Sequence, residues 1–364
     1  MRPSLRAWDW HLLGAALGLT VVSVITITSA SARLNPVLAW RQLTWALIGI
    51  GACLAVARMP ISRWTELAGL AYGLGVILLV LVCIAGTTKL GATRWLSVFG
   101  LSLQPTELVK LGTVWLLARY LAGQPTPLPT RAVVTSLLLA GLPALLIFRQ
   151  PDLGSATILA AIWLGMAWVS GLSRRHAAVL AGAMLGLAPL AWHILKPYQR
   201  GRLLAFINPH ADPLGAGYTV IQSQIAIGSG QWVGRGWFAG TQNQLNFLPE
   251  RHSDFIFSVV GEEWGLLGCL VVVAAFVLLL ARVLDVALRT GTPHGRLLAV
   301  GVFAWVGYQA FVNLGMVSGL LPVVGVPLPL MSYGGTSMVA LWIGLGTVLG
   351  TERTEEGMHP SPWS

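Results

Sequence analysis

Charge is what this sequence has least of. Only 10% of its 364 residues are Asp, Glu, Lys or Arg, whereas a soluble domain carries about 25%. So little charge excludes a large water-exposed surface. Of the 23 basic residues only Lys89, Lys110 and Lys196 are lysines. The arginines are scattered between apolar runs and form no basic stripe, which excludes a nucleic-acid footprint. The three cysteines, Cys53, Cys83 and Cys269, all fall inside apolar runs and read as buried thiols, not as a disulfide framework. No phosphate-binding Gly-Lys-Ser/Thr loop, dinucleotide fingerprint, zinc spacing or nucleophile elbow is present, so no nucleotide cofactor is expected. No inverted internal repeat of the transporter kind is visible.

What is there in abundance is hydrocarbon: 55% of residues are hydrophobic and the mean hydropathy is +0.73. Apolar runs near the 20 or so residues that span a bilayer recur along the chain. They predict ten spans, at 11–31, 40–57, 66–85, 105–122, 132–148, 155–170, 177–195, 256–281, 297–318 and 335–351. Backbone polar groups in lipid must be satisfied within the segment, so the expected class is an all-α polytopic membrane protein of one domain, residues 1–364. His11 to Ala30 is too long for a signal-peptide core and reads as the first span. With a cytoplasmic N-terminus, twelve Arg fall in inside loops and five Arg or Lys in short outside loops, so both termini are expected in the cytoplasm.

Two connections are unusual. Residues 196–255, between spans seven and eight, form a long extracytoplasmic loop that is neither low-complexity nor linker-like; its 218–228 segment suits a short interfacial helix. Gly319 to Thr336 is uncharged and rich in Pro and Gly, and reads as a re-entrant loop packed within the protein.

The residues that could carry chemistry are few. Glu250-Arg251-His252-Ser253-Asp254 packs charge against the start of the eighth span. A half-desolvated Asp254 would have a raised pKa and could act as a general base; a helix N-cap would look the same in sequence. Glu107 and Lys110 share a face of the fourth span, either as a pair that makes the helix insertable or with Lys110 meeting an anionic substrate group. Lys89 and Arg94 could contact phosphate or lie in an ordinary solvated loop. Asp152 reads as part of a turn with a local ion pair. Arg200 and Arg202 suit either lipid headgroups or a pyrophosphate.

The chain resembles the SEDS family (shape, elongation, division and sporulation) over nearly all ten spans. The resemblance rests on Gly91-Ala-Thr-Arg-Trp, Gln104-Pro-Thr-Glu-Leu-Val-Lys110, Gln150-Pro-Asp-Leu-Gly, Tyr198-Gln-Arg-Gly-Arg, Asp212-Pro-Leu-Gly-Ala-Gly-Tyr, Gln222-Ser-Gln-Ile-Ala-Ile-Gly-Ser-Gly, Gly240-Thr-Gln242, Phe247-Leu-Pro-Glu-Arg-His-Ser-Asp-Phe-Ile-Phe and Ser332-Tyr-Gly-Gly-Thr-Ser. Ser253 stands where Thr is commoner, and Gln231 where many members have Gly. Phe247-Leu-Pro-Glu-Arg-His points to elongation-type, rod-shape members over division-type ones. The resemblance implies a peptidoglycan glycosyltransferase that polymerises lipid II at the outer face of the cytoplasmic membrane. It implies Asp254 as the essential catalytic carboxylate, expected to act as general base, and marks the pair Glu107 and Lys110; with these, Arg94, Lys89, Arg200, Arg202, Gln222 and Gln242 are the candidate substrate-binding residues. A class B penicillin-binding protein is the implied partner, and a divalent cation (Mg or Mn) a candidate aid to the pyrophosphate leaving group. Two other classes stay open: a lipid II flippase and a non-catalytic scaffold.

Overall fold

The computed structural model describes residues 9–33, 35–89, 92–98, 101–215 and 217–358; the side chains of 87–89, 92, 93, 97, 98, 101, 188, 191, 194 and 352–358 are outside the described set. Each of the ten apolar segments forms a helix. In chain order, with the helices of the long loop, these are α1 (Trp10–Ser31), α2 (Val37–Val56), α3 (Ile61–Ala85), α4 (Pro105–Ala122), α5 (Thr130–Arg149), α6 (Leu153–Val169), α7 (Arg174–Ile194), α8 (Pro197–Ile207), α9 (Tyr218–Ser229), α10 (Thr241–Gln244), α11 (Ile256–Arg289), α12 (Pro293–Val317) and α13 (Gly335–Met358). Six of them, α1, α2, α3, α5, α11 and α12, are long and apolar enough to cross a membrane; α6 and Gly335–Thr351 are shorter apolar helices. Large apolar side chains stand exposed on their outer faces, among them Leu70, Ile84, Leu138 and Leu145. An apolar exterior of that extent suits lipid, not water. This is a multi-pass membrane protein.

One local departure from an all-helical chain lies between α3 and α4. There the expected outer loop is a three-stranded antiparallel sheet, β1 (Thr87–Lys89), β2 (Ala92–Val98) and β3 (Leu101–Leu103), in the order β1-β2-β3. Trp95 pairs with Thr87 and Leu96 with Leu103. Clear of the spans, this backbone satisfies its polar groups by strand pairing. The sheet matters because β2 carries Arg94 to the site.

The bundle is tight where small residues let backbones meet. Helix α2 runs along α13 and α3 along α4. A Cβ on Gly346 would stand 2.7 Å from the carbonyl oxygen of Cys53, and one on Gly112 3.0 Å from the amide nitrogen of Tyr72. In lipid, where apolar contact alone gives no preference between helices, such close approach supplies the packing energy.

Two irregular features position the site. Helix α11 is two helices joined at Gly265, whose φ of 65° only glycine adopts readily. The break frees backbone groups, and the preceding loop satisfies them. Leu266 and Leu267 N–H donate to the carbonyls of Gln231 and Trp232, and Arg235 and Gly236 N–H to those of Glu262 and Glu263. The side chain of Glu262 also accepts from the N–H groups of Gln242 and Asn243, at 2.8 and 3.0 Å, at the start of α10. The second feature is the chain between α12 and α13. It is non-helical, as its prolines predict, and buried: Val326, Leu328, Leu330 and Met331 are at most 2% exposed. Its backbone is stitched to α1 and α2 by Ser23, which donates to Met331 O, and by Gln42, which donates to Ser332 O.

Candidate active site

The segment before α11 is bound by this buried loop. Three consecutive carbonyls are taken by three donors: His252 O by Tyr333 N–H at 2.8 Å, Ser253 O by Ser332 Oγ at 2.6 Å, and Asp254 O by Asn313 Nδ2 at 2.8 Å. Arg251, almost fully buried, donates from Nε to Ala30 O at 2.7 Å and from Nη1 to Asn246 Oδ1. The neighbours of Asp254 therefore hold the loop.

Asp254 itself does not cap the helix. The N-cap of α11 is Phe255, with no side-chain cap bond. Elsewhere this chain does use acids as caps. Asp9 accepts from His11 and Leu12 N–H at the start of α1, and Asp152 from Ser155 N–H at the start of α6. Among the described residues nothing donates to the Asp254 carboxylate, which leaves it free for a ligand.

That carboxylate lies in a cleft of about 720 Å³ lined from α2, β2, α8, α9 and both irregular segments. Asp254 and Glu250 are its acids, and Arg41, Arg94 and Arg202 its arginines. Burial, helped by the charge of Glu250, pushes the Asp254 carboxyl up to about 6; Arg202 and Arg94 pull it part of the way back. Gly325, at φ 69°, sits beside the pair: a Cβ there would be 3.3 Å from Asp254 Oδ2 and 3.7 Å from Arg202 Nη1. A side chain would both strain the backbone and fill the space between acid and arginine.

The other sequence candidates divide. Arg94 lines the cleft, anchored by a 2.6 Å bond to Pro151 O and a 3.7 Å pairing with Asp152 Oδ2. Asp152 was expected to pair locally; its cation is 58 residues away in sequence. Arg202 and Arg200, two apart on α8, point about 200° apart around the helix. Arg202 reaches the cleft with its guanidinium over Tyr198, while Arg200 turns to Trp192 and the carbonyl of His193. Gln222 is half-buried on α9 and Gln242 is bound through its backbone to Glu262; neither lines the cleft. The Lys89 side chain and Gly91 lie outside the described residues.

Glu107 and Lys110 are fully buried and 2.7 Å apart, and neither lines the cleft. Lys110 Nζ donates to Gln309 Oε1 at 3.0 Å and faces the Trp305 ring at 5.2 Å. Gln309 in turn donates to Pro327 O at 2.9 Å, on the buried loop. Arg41, Trp45, Gln104 and Gly325 line the cleft and were not among the candidates. The only sequence signal for Arg41 was a cation beside Trp40 at the start of a span.

A family model for a cell cycle protein, the FtsW/RodA/SpoVE model, matches residues 7–357. The chain belongs to this family, the one its motifs resemble. Among its relatives is the peptidoglycan glycosyltransferase MrdB of Escherichia coli, 41% identical over 94% of this chain and 92% of that protein. A probable peptidoglycan glycosyltransferase FtsW of Nitrosococcus halophilus is 38% identical over 94% and 91%. Two solved structures share the fold. One is a chain of a peptidoglycan synthase complex that coordinates polymerization and crosslinking, at 34% identity and a TM-score of 0.84, covering 95% of this chain and 98% of that one. The other is the rod shape determining protein RodA of Thermus thermophilus, at 30% identity and 0.73, covering 96% and 98%.

The divalent cation expected as a candidate would need oxygen ligands. The described residues gather no group of three or more His, Cys, Asp or Glu. The cleft offers two carboxylates among three arginines, a donor set that does not fit a dedicated cage.

Proposed function

We propose that this chain, a peptidoglycan glycosyltransferase by its family, builds glycan strands from lipid II with Asp254 as the general base. The acceptor's N-acetylglucosamine 4-hydroxyl gives its proton to Asp254 and attacks the anomeric carbon of the donor's N-acetylmuramic acid. The bond to undecaprenyl pyrophosphate breaks as the new one forms. An α-linked donor and a β-1,4-linked product require one inverting displacement, which needs one base and no covalent intermediate. The pyrophosphate takes the bonding electrons and needs positive charge, which Arg202, Arg94 and Arg41 supply from the cleft. Arg94 is partly neutralised by Asp152, so Arg202 is the freer cation. The apolar part of the lining, including Leu38, Trp45 and Val323, suits the polyprenyl tails.

The observation that carries this reading is an acid left uncapped at a helix start and opening into an arginine-lined cleft. Glu107 and Lys110 act here as positioning residues that hold the loop through Gln309, not as substrate contacts. The four remaining apolar segments are read as spans as well. The protein sits in the cytoplasmic membrane with both termini inside and the cleft outside, as the basic residues of the loops favour. A class B penicillin-binding protein is the proposed partner. The relative from a complex that couples polymerization to crosslinking supports it.

Purified chain with its partner, given lipid II in detergent, should yield glycan strands. Detergent abolishes sidedness, so a flippase or a scaffold would produce none, and absence of strands from the intact complex would refute the reading.

A further inference from the structure

Asn313 stands on α12 with its side chain wholly buried. Its one amide nitrogen donates twice, to Asp254 O at 2.8 Å and to Val326 O at 2.7 Å. Its Oδ1 is buried and accepts nothing. An orphaned buried acceptor is unfavourable, and such an amide persists where its donors do something that a side chain without them could not. The two carbonyls it joins belong to the two irregular segments that line the cleft. A neutral side chain that offers two protons from a single atom is an amide; a hydroxyl offers one and an aliphatic none. The bonds to His252 O and Ser253 O come from within the buried loop, at residues 332 and 333. Among the described residues, Asn313 alone ties the peptide of Asp254 itself to a helix of the bundle. One turn earlier, Gln309 grips Pro327 O in the same manner.

We propose that Asn313 is a positioning residue for Asp254. By joining the acid's carbonyl to Val326, one residue beyond Gly325, it fixes the carboxylate's place relative to the arginine beside Gly325. The proposal rests on Asp254 being the base. Its role is to keep the acid desolvated and aimed, and it touches no substrate.

The test compares Asn313→Leu, which removes both donors, with Asn313→Ser, which keeps one and packs without strain. Each is made in the full chain and assayed with its partner on lipid II in detergent across pH. Displacement of a catalytic group by about an ångström can lower a rate about a hundredfold. The leucine variant should therefore lose about tenfold to a hundredfold in kcat with KM unchanged, and the serine variant should fall between it and the parent. The acid limb of kcat/KM should move from near 6 toward the ordinary carboxylate range, because a loosened Asp254 is better hydrated. Folded variants with the parent's kcat and acid limb would overturn the proposal. So would a fall in kcat with the limb unmoved, which is what a packing role alone would give. Asp254→Asn run in parallel separates the two readings. If it stays active, the base assignment fails; if it is inactive while the Asn313 variants match the parent, only the positioning role fails.

Discussion

Asp254→Asn should lower lipid II polymerisation by about two to four orders of magnitude, the span that a positioned general base contributes. The amide has nearly the same shape and cannot take the acceptor's proton. Folding should survive and even improve. The carboxyl is pushed up to about 6 by burial and by Glu250, so the folded chain holds its proton more tightly than the unfolded chain does. A group raised in this way contributes stability while protonated. That stability is lost as pH rises from the ordinary carboxylate range through 6. At neutral pH the ionised acid is therefore a burden that the amide removes. Thermal unfolding of the purified complex should show an equal or higher midpoint beside the lost activity. Loss of activity with a falling midpoint would mean that Asp254 is structural.

The second large effect is expected at Lys110→Ala. The ammonium lies 2.7 Å from Glu107 with both groups out of solvent, and removing one partner of a buried pair leaves a desolvated charge, at a cost of about 3–5 kcal/mol. The thermal midpoint should drop steeply. Glu107→Gln with Lys110→Met should recover most of that stability, since replacing both charges by groups of like volume is often neutral. Activity should not recover with it. Gln309 Oε1 would have lost its lysine donor and kept only Trp305, so the amide that grips Pro327 O would be held less firmly. A stable double variant with full kcat and a normal KM would show that the pair serves insertion and folding alone.

The comparison of sequence and structure follows the reach of each signal. Hydropathy reports on segments, so all ten helical stretches were legible, and the prolines of 319–336 marked a chain that could not be helical. The charge around Asp254 was legible because it was out of place beside hydrocarbon. Direction was not. Glu107 and Lys110 share a face by their spacing, but the spacing does not say that the face meets Gln309, some 200 residues on, and not a cleft. Asp152 looked like half of a local turn pair, and the sheet of residues 87–103 instead brings it Arg94. Arg200 and Arg202 were equivalent on paper and separate only once α8 is helical and docked. Capping and catalysis were indistinguishable for Asp254 in sequence. The fold removes the cap reading, because the cap position falls on Phe255.

The pH dependence of kcat/KM, measured on the purified complex at lipid II well below KM, bears most directly on the claim that Asp254 is the base. A carboxylate that must be ionised and that titrates at about 6 predicts a rate falling tenfold per pH unit on the acid side, with its midpoint near 6. A rate level down to the ordinary carboxylate range, or an acid limb that persists unchanged in whatever activity Asp254→Asn retains, would contradict it.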